Sequence, residues 1–186
     1  MDFQDLLANR RSIRKFTDDE IGEETLRKLI GDAVCAPSSG NEQPWRFIVV
    51  SDRNLMRAIS DDAKRSILAR IQNDPSDYAK KYEKMLSSGD FNIFYNAPAL
   101  VIVVGDLSKN SVVNCSLAAG YFMMSAADAG LGTCWINFAK SITSPELLET
   151  LGLSEKDVIV APIAVGRPAV IPSMPKRETP EVRVIS

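Results

Sequence analysis

The stretch Arg10-Arg11-Ser12-Ile13-Arg14-Lys15-Phe16 places four cations and one hydroxyl within six residues, close to the N-terminus. A guanidinium group is a planar fork of N–H donors that can bind two phosphate oxygens at once, and serine adds a short hydroxyl donor. Successive side chains of an extended chain point to opposite sides, so we expect Arg10, Ser12 and Arg14 on one side. The two apolar residues are expected to lie against a core. A solvated basic patch that joins two elements is the alternative, because short charge runs are common on protein surfaces.

A second polar stretch lies between a helix-like and a strand-like segment: Ala36-Pro37-Ser38-Ser39-Gly40-Asn41-Glu42-Gln43-Pro44-Trp45-Arg46-Phe47. Together, Arg-Arg-Ser-Ile-Arg and Pro-Ser-Ser-Gly-Asn-Glu-Gln-Pro-Trp resemble the two N-terminal signatures of the nitroreductase family of flavoproteins. Either motif alone is a weak signal. The two in this order and at this separation are specific.

The longest clear helical pattern, 111–129, is rich in small residues, which let helices approach closely. Tight packing inside one chain and a seam between two subunits both explain this composition. Gly130-Leu131-Gly132 follows, and then a strand-like segment at 134–138. This succession resembles a third signature of the same family, so the resemblance covers nearly the whole chain. It implies a homodimer whose C-terminal tail extends onto the partner subunit, and it favours the subunit seam.

Composition bounds the class of protein. With 186 residues and 45% hydrophobic content, the chain is expected to form one domain over 1–186. The formal net charge of −2 gives no overall basic field, so nucleic acid is not an expected partner. The sequence contains no run of 18 or more apolar residues, so no membrane-spanning helix is expected. The acidic N-terminus lacks a signal-peptide pattern, and a cytoplasmic protein is therefore expected.

The chain contains no histidine. This excludes Ser-His-Asp and Cys-His catalysis and argues against the usual transition-metal sites, so no metal is expected. An enzyme of this composition must take its reactive group from a cofactor or from carboxylates. Cys35, Cys115 and Cys134 are odd in number and widely spaced, which argues against a disulfide framework. Their apolar or small-residue surroundings predict buried, unreactive thiols.

Periodicity predicts alternating helices and strands without strict βαβ regularity, which is typical of an α+β sandwich with a mostly antiparallel sheet flanked by helices. Pro162 indicates an edge, a bulge or a bend in its strand. Helices are expected at 2–9, 23–36, 54–71 (one or two), 76–86, 111–129 and 145–151, with an extended connector at 10–16 and strands at 45–50, 99–104, 134–138 and 158–166.

The resemblance implies FMN as the cofactor and assigns roles to individual residues. Arg10 and Ser12, with Arg11 between them, match phosphate and ribityl contacts. Arg14 matches a cation near the N1–O2 edge of the flavin. Four residues match the loop that the neighbouring subunit lays against the ring, namely Pro37, Ser38, Ser39 and Asn41.

Two further segments complete the implied site. Around Ile136 and Asn137 the family offers a backbone N–H to flavin N5, and Asn137 stands where some members carry Glu. Lys176 and Arg177 resemble a C-terminal basic motif at the phosphate. For Arg167, a phosphate contact and a surface turn remain equally open.

The implied activity is hydride transfer from NAD(P)H through FMN to a small oxidant such as a nitroaromatic, quinone or enone, in a ping-pong cycle. No Gly-x-Gly-x-x-Gly fingerprint is present, which is expected if NAD(P)H binds transiently over the flavin. Relatives that dehalogenate reductively or break down flavin share this scaffold and differ in a lid, which here would fall within 54–96. A non-enzymatic nucleotide-binding module is a third possibility, and it would be colourless.

Overall fold

The computed structural model describes residues 2–185. The described helices are α1 (Phe3–Asn9), α2 (Glu23–Ala33), α3 (Arg53–Asn73), α4 (Glu83–Leu86), α5 (Ser111–Asp128) and α6 (Pro145–Thr150), with short 3-10 helices at Ser39–Asn41, Tyr78–Tyr82 and Asn137–Ser141. The described strands are β1 (Arg46–Val50), β2 (Ala99–Gly105), β3 (Gly132–Trp135) and β4 (Val158–Gly166).

The four strands form one sheet in the order β1-β2-β4-β3, and every pair is antiparallel. All seven residues of β2 are buried, which explains its unbroken apolar sequence. The α+β class with an antiparallel sheet is therefore confirmed. Pro162 lies opposite Ile102 inside the sheet, so the edge-strand alternative is wrong. A register shift between Val103 and Val104 lies close to Pro162, in agreement with the bulge alternative.

Helix α3 covers one face of the sheet. Its buried apolar residues recur every three or four positions, as expected for a helix with one buried face, and they are Met56, Ile59, Ala63, Ile67 and Ile71. These side chains belong to the same core cluster as Leu100, Ile102 and Val104 of β2. Because α3 is a core helix, a lid within the expected range of 54–96 would have to lie in the residues that follow it, from about 74 to 96.

Helices α2 and α5 cover the other face of the sheet. Ala118, Ala119 and Ala126 of α5 are fully buried, so small residues do serve close packing inside the chain. The opposite face of α5 exposes large apolar side chains, including Leu117 and Tyr121 at 42% and 45%. The helix ends at Asp128, and Gly130, which follows its C-cap, has a φ of +73° that suits glycine. The same helix thus packs internally and leaves an apolar stripe uncovered.

Several expected boundaries need correction. The strand expected at 134–138 is β3, which starts at Gly132 and ends at Trp135, because the chain turns into a 3-10 helix at Asn137. The helix expected at 76–86 is a 3-10 turn followed by α4. Helix α2 ends at Ala33 rather than 36, since the N–H groups of Cys35 and Ala36 close tight turns with Asp32 and Ala33 carbonyls.

The expectation that all three cysteines are buried also needs correction at one position. Cys35 is exposed, so the expectation of a buried thiol is wrong there; the residue lies beyond the packed end of α2. Cys115 and Cys134 are buried as expected. Within residues 2–185, no helix combines the length and hydropathy that spanning a membrane requires.

Candidate functional site

The Arg10–Phe16 segment runs extended along the edge of the sheet. The Ile13 N–H donates to the Thr133 carbonyl of β3 at 2.9 Å, and Ser12 forms a parallel bridge with Thr133. Further along, Ala169 N–H donates to the Lys15 carbonyl at 2.9 Å, and Phe16 bridges Pro168. The expectation of an extended connector is confirmed, and the segment is fixed at both ends.

Two glycines of the sheet make room for the apolar side chains of this segment. A Cβ atom on Gly132 would lie 2.5 Å from Ile13 Cγ1, and one on Gly166 would lie 2.7 Å from Phe16 Cδ1. Neither distance is compatible with an ordinary carbon–carbon contact. Ile13 is only 3% exposed. Glycine at Gly132 therefore admits Ile13, which gives the Gly-Leu-Gly sequence a packing role beyond helix termination.

Arg14 projects from the segment toward an aromatic residue that sequence analysis did not single out. Its guanidinium carbon lies 5.9 Å from the centroid of the Tyr95 ring, which also packs edge-on against Phe91. Burial raises the pKa of the Tyr95 hydroxyl, with a smaller rise from Cys134, and Arg14 opposes both. Burial likewise raises the pKa of the Cys134 thiol against the effect of Arg14. No carboxylate among residues 2–185 pairs with Arg14.

Arg10 and Arg11 follow the end of α1 and differ in their partners. The Arg11 guanidinium donates to the Arg10 carbonyl at 2.7 Å and to the Ala8 carbonyl, which satisfies acceptors at the helix terminus. Arg11 Nε is buried and has no hydrogen-bond partner within residues 2–185. Arg10 is half-buried and lines a small cavity of about 150 Å³ with Ala127 and Gly130. Arg11 is thus turned onto the backbone, whereas Arg10 has no ion pair with a described carboxylate.

The Ser38–Gln43 loop has an unusual backbone and polar anchors. Gly40, Asn41 and Gln43 have φ values of +58°, +57° and +46°, in the left-handed region that non-glycine residues seldom adopt. Ser39 N–H donates to Asn114 Oδ1 at 3.1 Å, and Asn110 Nδ2 donates to Ser39 Oγ at 3.2 Å. Pro37 and Asn41 remain exposed.

The two signatures are far apart within one chain. The loop is bound to Asn110 and Asn114 at the start of α5, whereas Arg10 lies beside Ala127 near its end. Asn114 and Ala127 are thirteen residues apart, which is about 20 Å along a helix. One chain therefore does not bring the loop to Arg10.

The turn after β3 contains one engaged and one available backbone donor. Ile136 N–H donates to the Pro162 carbonyl at 2.7 Å, so it is already used inside the sheet. Asn137 is exposed and opens a 3-10 helix, and the first N–H groups of a helix have no partner within it. Phe138 packs edge-on against Tyr82 with 5.4 Å between centroids. The residues after α3 thus lie beside this turn.

The C-terminal tail is exposed over residues 171–185. It carries Lys176 and Arg177, which make no hydrogen bond or ion pair within residues 2–185, and exposed apolar residues such as Val182 and Val184 at 75% and 84%. Arg167 contributes its carbonyl to the edge of the fold, where it accepts from Thr17 N–H at 3.0 Å.

A family model described as "Nitroreductase family" matches residues 7–167. The chain belongs to the nitroreductase family. A protein of Archaeoglobus fulgidus named "Putative NADH dehydrogenase/NAD(P)H nitroreductase" is 31% identical over 170 residues, which are 88% of this chain and 83% of the relative. The resemblance inferred from the three sequence signatures is confirmed.

Solved structures share the fold over nearly the whole chain. An FMN-dependent nitroreductase from Clostridium difficile R20291 is 27% identical with a TM-score of 0.79, over 97% of this chain and 98% of that one. Oxidized iodotyrosine deiodinase, bound to FMN and 3-iodo-L-tyrosine, is 25% identical with a TM-score of 0.77, over 98% of both chains.

Sequence analysis missed Tyr95, Asn110 and Asn114. The two asparagines are one helical turn apart at the start of an otherwise small and apolar helix, and this spacing was the available signal. For Tyr95, no local pattern distinguishes it from the other aromatic residues between 91 and 95.

Proposed function

We propose that this nitroreductase-family chain is an FMN-dependent oxidoreductase that takes hydride from NAD(P)H and delivers it to a small oxidant. The observation that carries the proposal is the pair Arg10 and Arg14. Both extend from a segment fixed to the sheet, and neither is neutralised by a described carboxylate. A dianionic phosphate and a flavin that becomes anionic on reduction need cations of this kind. The FMN named with the solved relatives supports the assignment.

Each residue has a defined task in this proposal. Arg10 and Ser12 bind the phosphate and ribityl chain, and Arg11 adds positive charge while closing α1. Arg14 stabilises negative charge at the N1–O2 edge. Asn137, rather than Ile136, donates its N–H toward N5, because the Ile136 N–H is bonded to Pro162. When bound, FMN supplies a ring whose N5 accepts hydride from NAD(P)H and passes it to the oxidant.

We further propose a homodimer in which each site is shared. The distance of about 20 Å along α5 separates the loop from Arg10 of its own chain, so the loop is assigned to the flavin of the partner. The apolar stripe on α5, which includes Leu117 and Tyr121, supplies a surface that needs covering. Pro37, Ser38, Ser39 and Asn41 then contact the partner's ring.

The tail is assigned to the partner subunit as well. β1 is an edge strand, and a groove of about 1000 Å³ lies between it and α2. An exposed edge is open to pairing with another chain. Val182 and Val184 are two positions apart, so both would face the same side of an extended strand. Lys176 and Arg177 precede them in the tail. The tail thus covers the groove while its basic residues approach a phosphate.

The cofactor assignment is tested by adding FMN to the purified protein and measuring bound flavin by absorbance after gel filtration. We expect one FMN per subunit and bleaching of the flavin band when NADH or NADPH is added without oxygen. Colourless protein that takes up no FMN would instead leave only the nucleotide-sensing alternative.

Reductive dehalogenation is the second candidate function, supported by the likeness to iodotyrosine deiodinase. The Lys81 ammonium lies 4.7 Å and 5.0 Å from the ring centroids of Tyr78 and Tyr82, which gives the region after α3 an aromatic and cationic surface. Anaerobically reduced protein should be mixed with a nitroaromatic, a quinone, an enone or 3-iodo-L-tyrosine. The compound that reoxidises it fastest identifies the reaction class.

A further inference from the structure

Asn114 is a buried polar side chain, 2% exposed, in a helix whose packed face is otherwise mostly apolar. Both ends of its amide are hydrogen-bonded to the same short loop. Oδ1 accepts from Ser39 N–H at 3.1 Å, and Nδ2 donates to Glu42 Oε2 at 3.2 Å. Buried amides without partners are destabilising, so these two bonds constrain the loop and the side chain together.

The loop requires such a constraint. Asn41 and Gln43 hold left-handed backbone conformations, which for residues other than glycine persist only when the surroundings enforce them. The loop residues themselves are exposed or half-buried, so burial within the chain contributes little. Internal bonds, such as Gln43 N–H to Ser38 Oγ at 3.2 Å, shape the loop but do not fix it to the fold. Asn114, with Asn110 one turn earlier, provides the attachment to α5.

We propose that Asn114 is a positioning residue that holds the Ser38–Gln43 loop in the form in which it contacts the FMN of the partner subunit. This inference rests on the proposed function. Asn114 does not touch the flavin. Its effect is transmitted through Ser39 and Glu42, and it acts on the site of the other chain.

The first experiment reverses the polarity of one hydrogen bond. Asn114→Asp keeps the acceptor for Ser39 N–H but sets a carboxylate against that of Glu42, so we expect FMN binding to weaken by about tenfold. Glu42→Gln in the same chain supplies an amide donor to the new carboxylate and should restore the Kd to within about threefold of wild type. FMN fluorescence quenching measures the Kd. Asn54→Asp, an exposed residue of α3, makes the same charge change and should leave the Kd unaltered.

The second experiment asks which subunit the loop serves. Chains carrying Arg10→Ala and Asn114→Asp are co-expressed with different tags, and the heterodimer is isolated through both. If the loop acts on the partner, one site combines an intact Arg10 with an intact loop and binds FMN with wild-type Kd. The other site carries both changes. If the loop acts on its own chain, each site carries one change and no site has the wild-type Kd.

The outcomes separate this inference from the cofactor assignment. Failure of wild-type protein to bind FMN overturns the proposed function. If wild type binds FMN but Asn114→Asp binds equally well, or Glu42→Gln does not restore binding, the positioning role is wrong while the cofactor assignment stands. If Asn114→Asp does not fold, Glu42→Ala replaces it in the heterodimer, because this change removes the acceptor of the Asn114 amide and leaves Asn114 itself in place.

Discussion

The Arg10–Phe16 segment and the Ser38–Gln43 loop carry the two N-terminal signatures, and they are attached to the fold in different ways. The first pairs with the backbone of the sheet edge and is also held by apolar side chains, since Ile13 and Phe16 occupy spaces that exist because the sheet has glycines opposite them. The second is attached by amide hydrogen bonds to Asn110 and Asn114 and has left-handed backbone conformations.

The two attachments differ in strength and in their dependence on geometry. Burial of an isoleucine contributes roughly 1.5–3 kcal/mol and is insensitive to small changes at the surface. A hydrogen bond contributes about 1 kcal/mol and depends on direction and distance. The segment that we assign to the phosphate is therefore a rigid part of the chain. The loop that we assign to the partner's ring is held more weakly and more directionally.

The largest effect is expected from Arg10→Ala, which removes a charge from the rigid segment without disturbing its apolar anchors. The loss of a charge-assisted contact to phosphate is worth roughly 1.5–3 kcal/mol, or about one to two factors of ten in FMN Kd. Riboflavin lacks the phosphate, so its Kd should barely change. An equal loss for FMN and riboflavin would contradict the phosphate role of Arg10.

Arg14→Ala separates the second cation from the first. It should weaken FMN binding and also lower the flavin reduction potential, because the reduced ring loses its nearest cation. With saturating FMN, Arg10→Ala should regain most of its NAD(P)H oxidation rate, whereas Arg14→Ala should remain slow. Potentiometric titration of both variants provides the measurement. Equal potentials and full recovery of both would place Arg14 away from the ring.

Gly132→Ala tests the apolar attachment directly. The added Cβ would overlap Ile13, and overpacking of this kind costs about 1–3 kcal/mol of unfolding free energy. Urea denaturation measures the loss, and Ile13→Ala in the same chain should give less destabilisation than the two single changes combined. Gly31→Ala in α2 is the control, since its Cβ meets no atom within 4 Å. It should be neutral or stabilising.

The smallest effect is a difference in thiol labelling. Burial raises the pKa of Cys134 and Cys115, so both remain protonated at pH 8, and their labelling should accelerate as pH rises. Exposed Cys35 should react first with a maleimide, as followed by mass spectrometry. Gly132→Ala should expose Cys134 on β3 and leave Cys115 protected beside Asn114. If Gly132→Ala exposed Cys115 as much as Cys134, the Arg10–Phe16 segment and the Ser38–Gln43 loop would loosen together.

Much of the fold followed from local patterns. The unbroken apolar run of β2 predicts a buried strand, and the small residues of α5 predict close packing, because burial selects composition over a few neighbouring residues. The three signatures of the family were also local. Tertiary packing overrode local pattern at Cys35, which lies beyond the end of α2.

The sequence by itself determined the order and approximate positions of the strands and longer helices, and the family, because each depends on a short run of residues. Only the tertiary structure decided which hydrogen-bond donors already have a partner within the chain and which do not. Arg11 is turned to the Ala8 carbonyl, Ile136 N–H is bound to Pro162, and Ser39 depends on Asn114. The physical reason is that a hydrogen bond needs its partner within about 3 Å. For Ser39 that partner lies 75 positions along the chain, so the folded topology alone brings the two together.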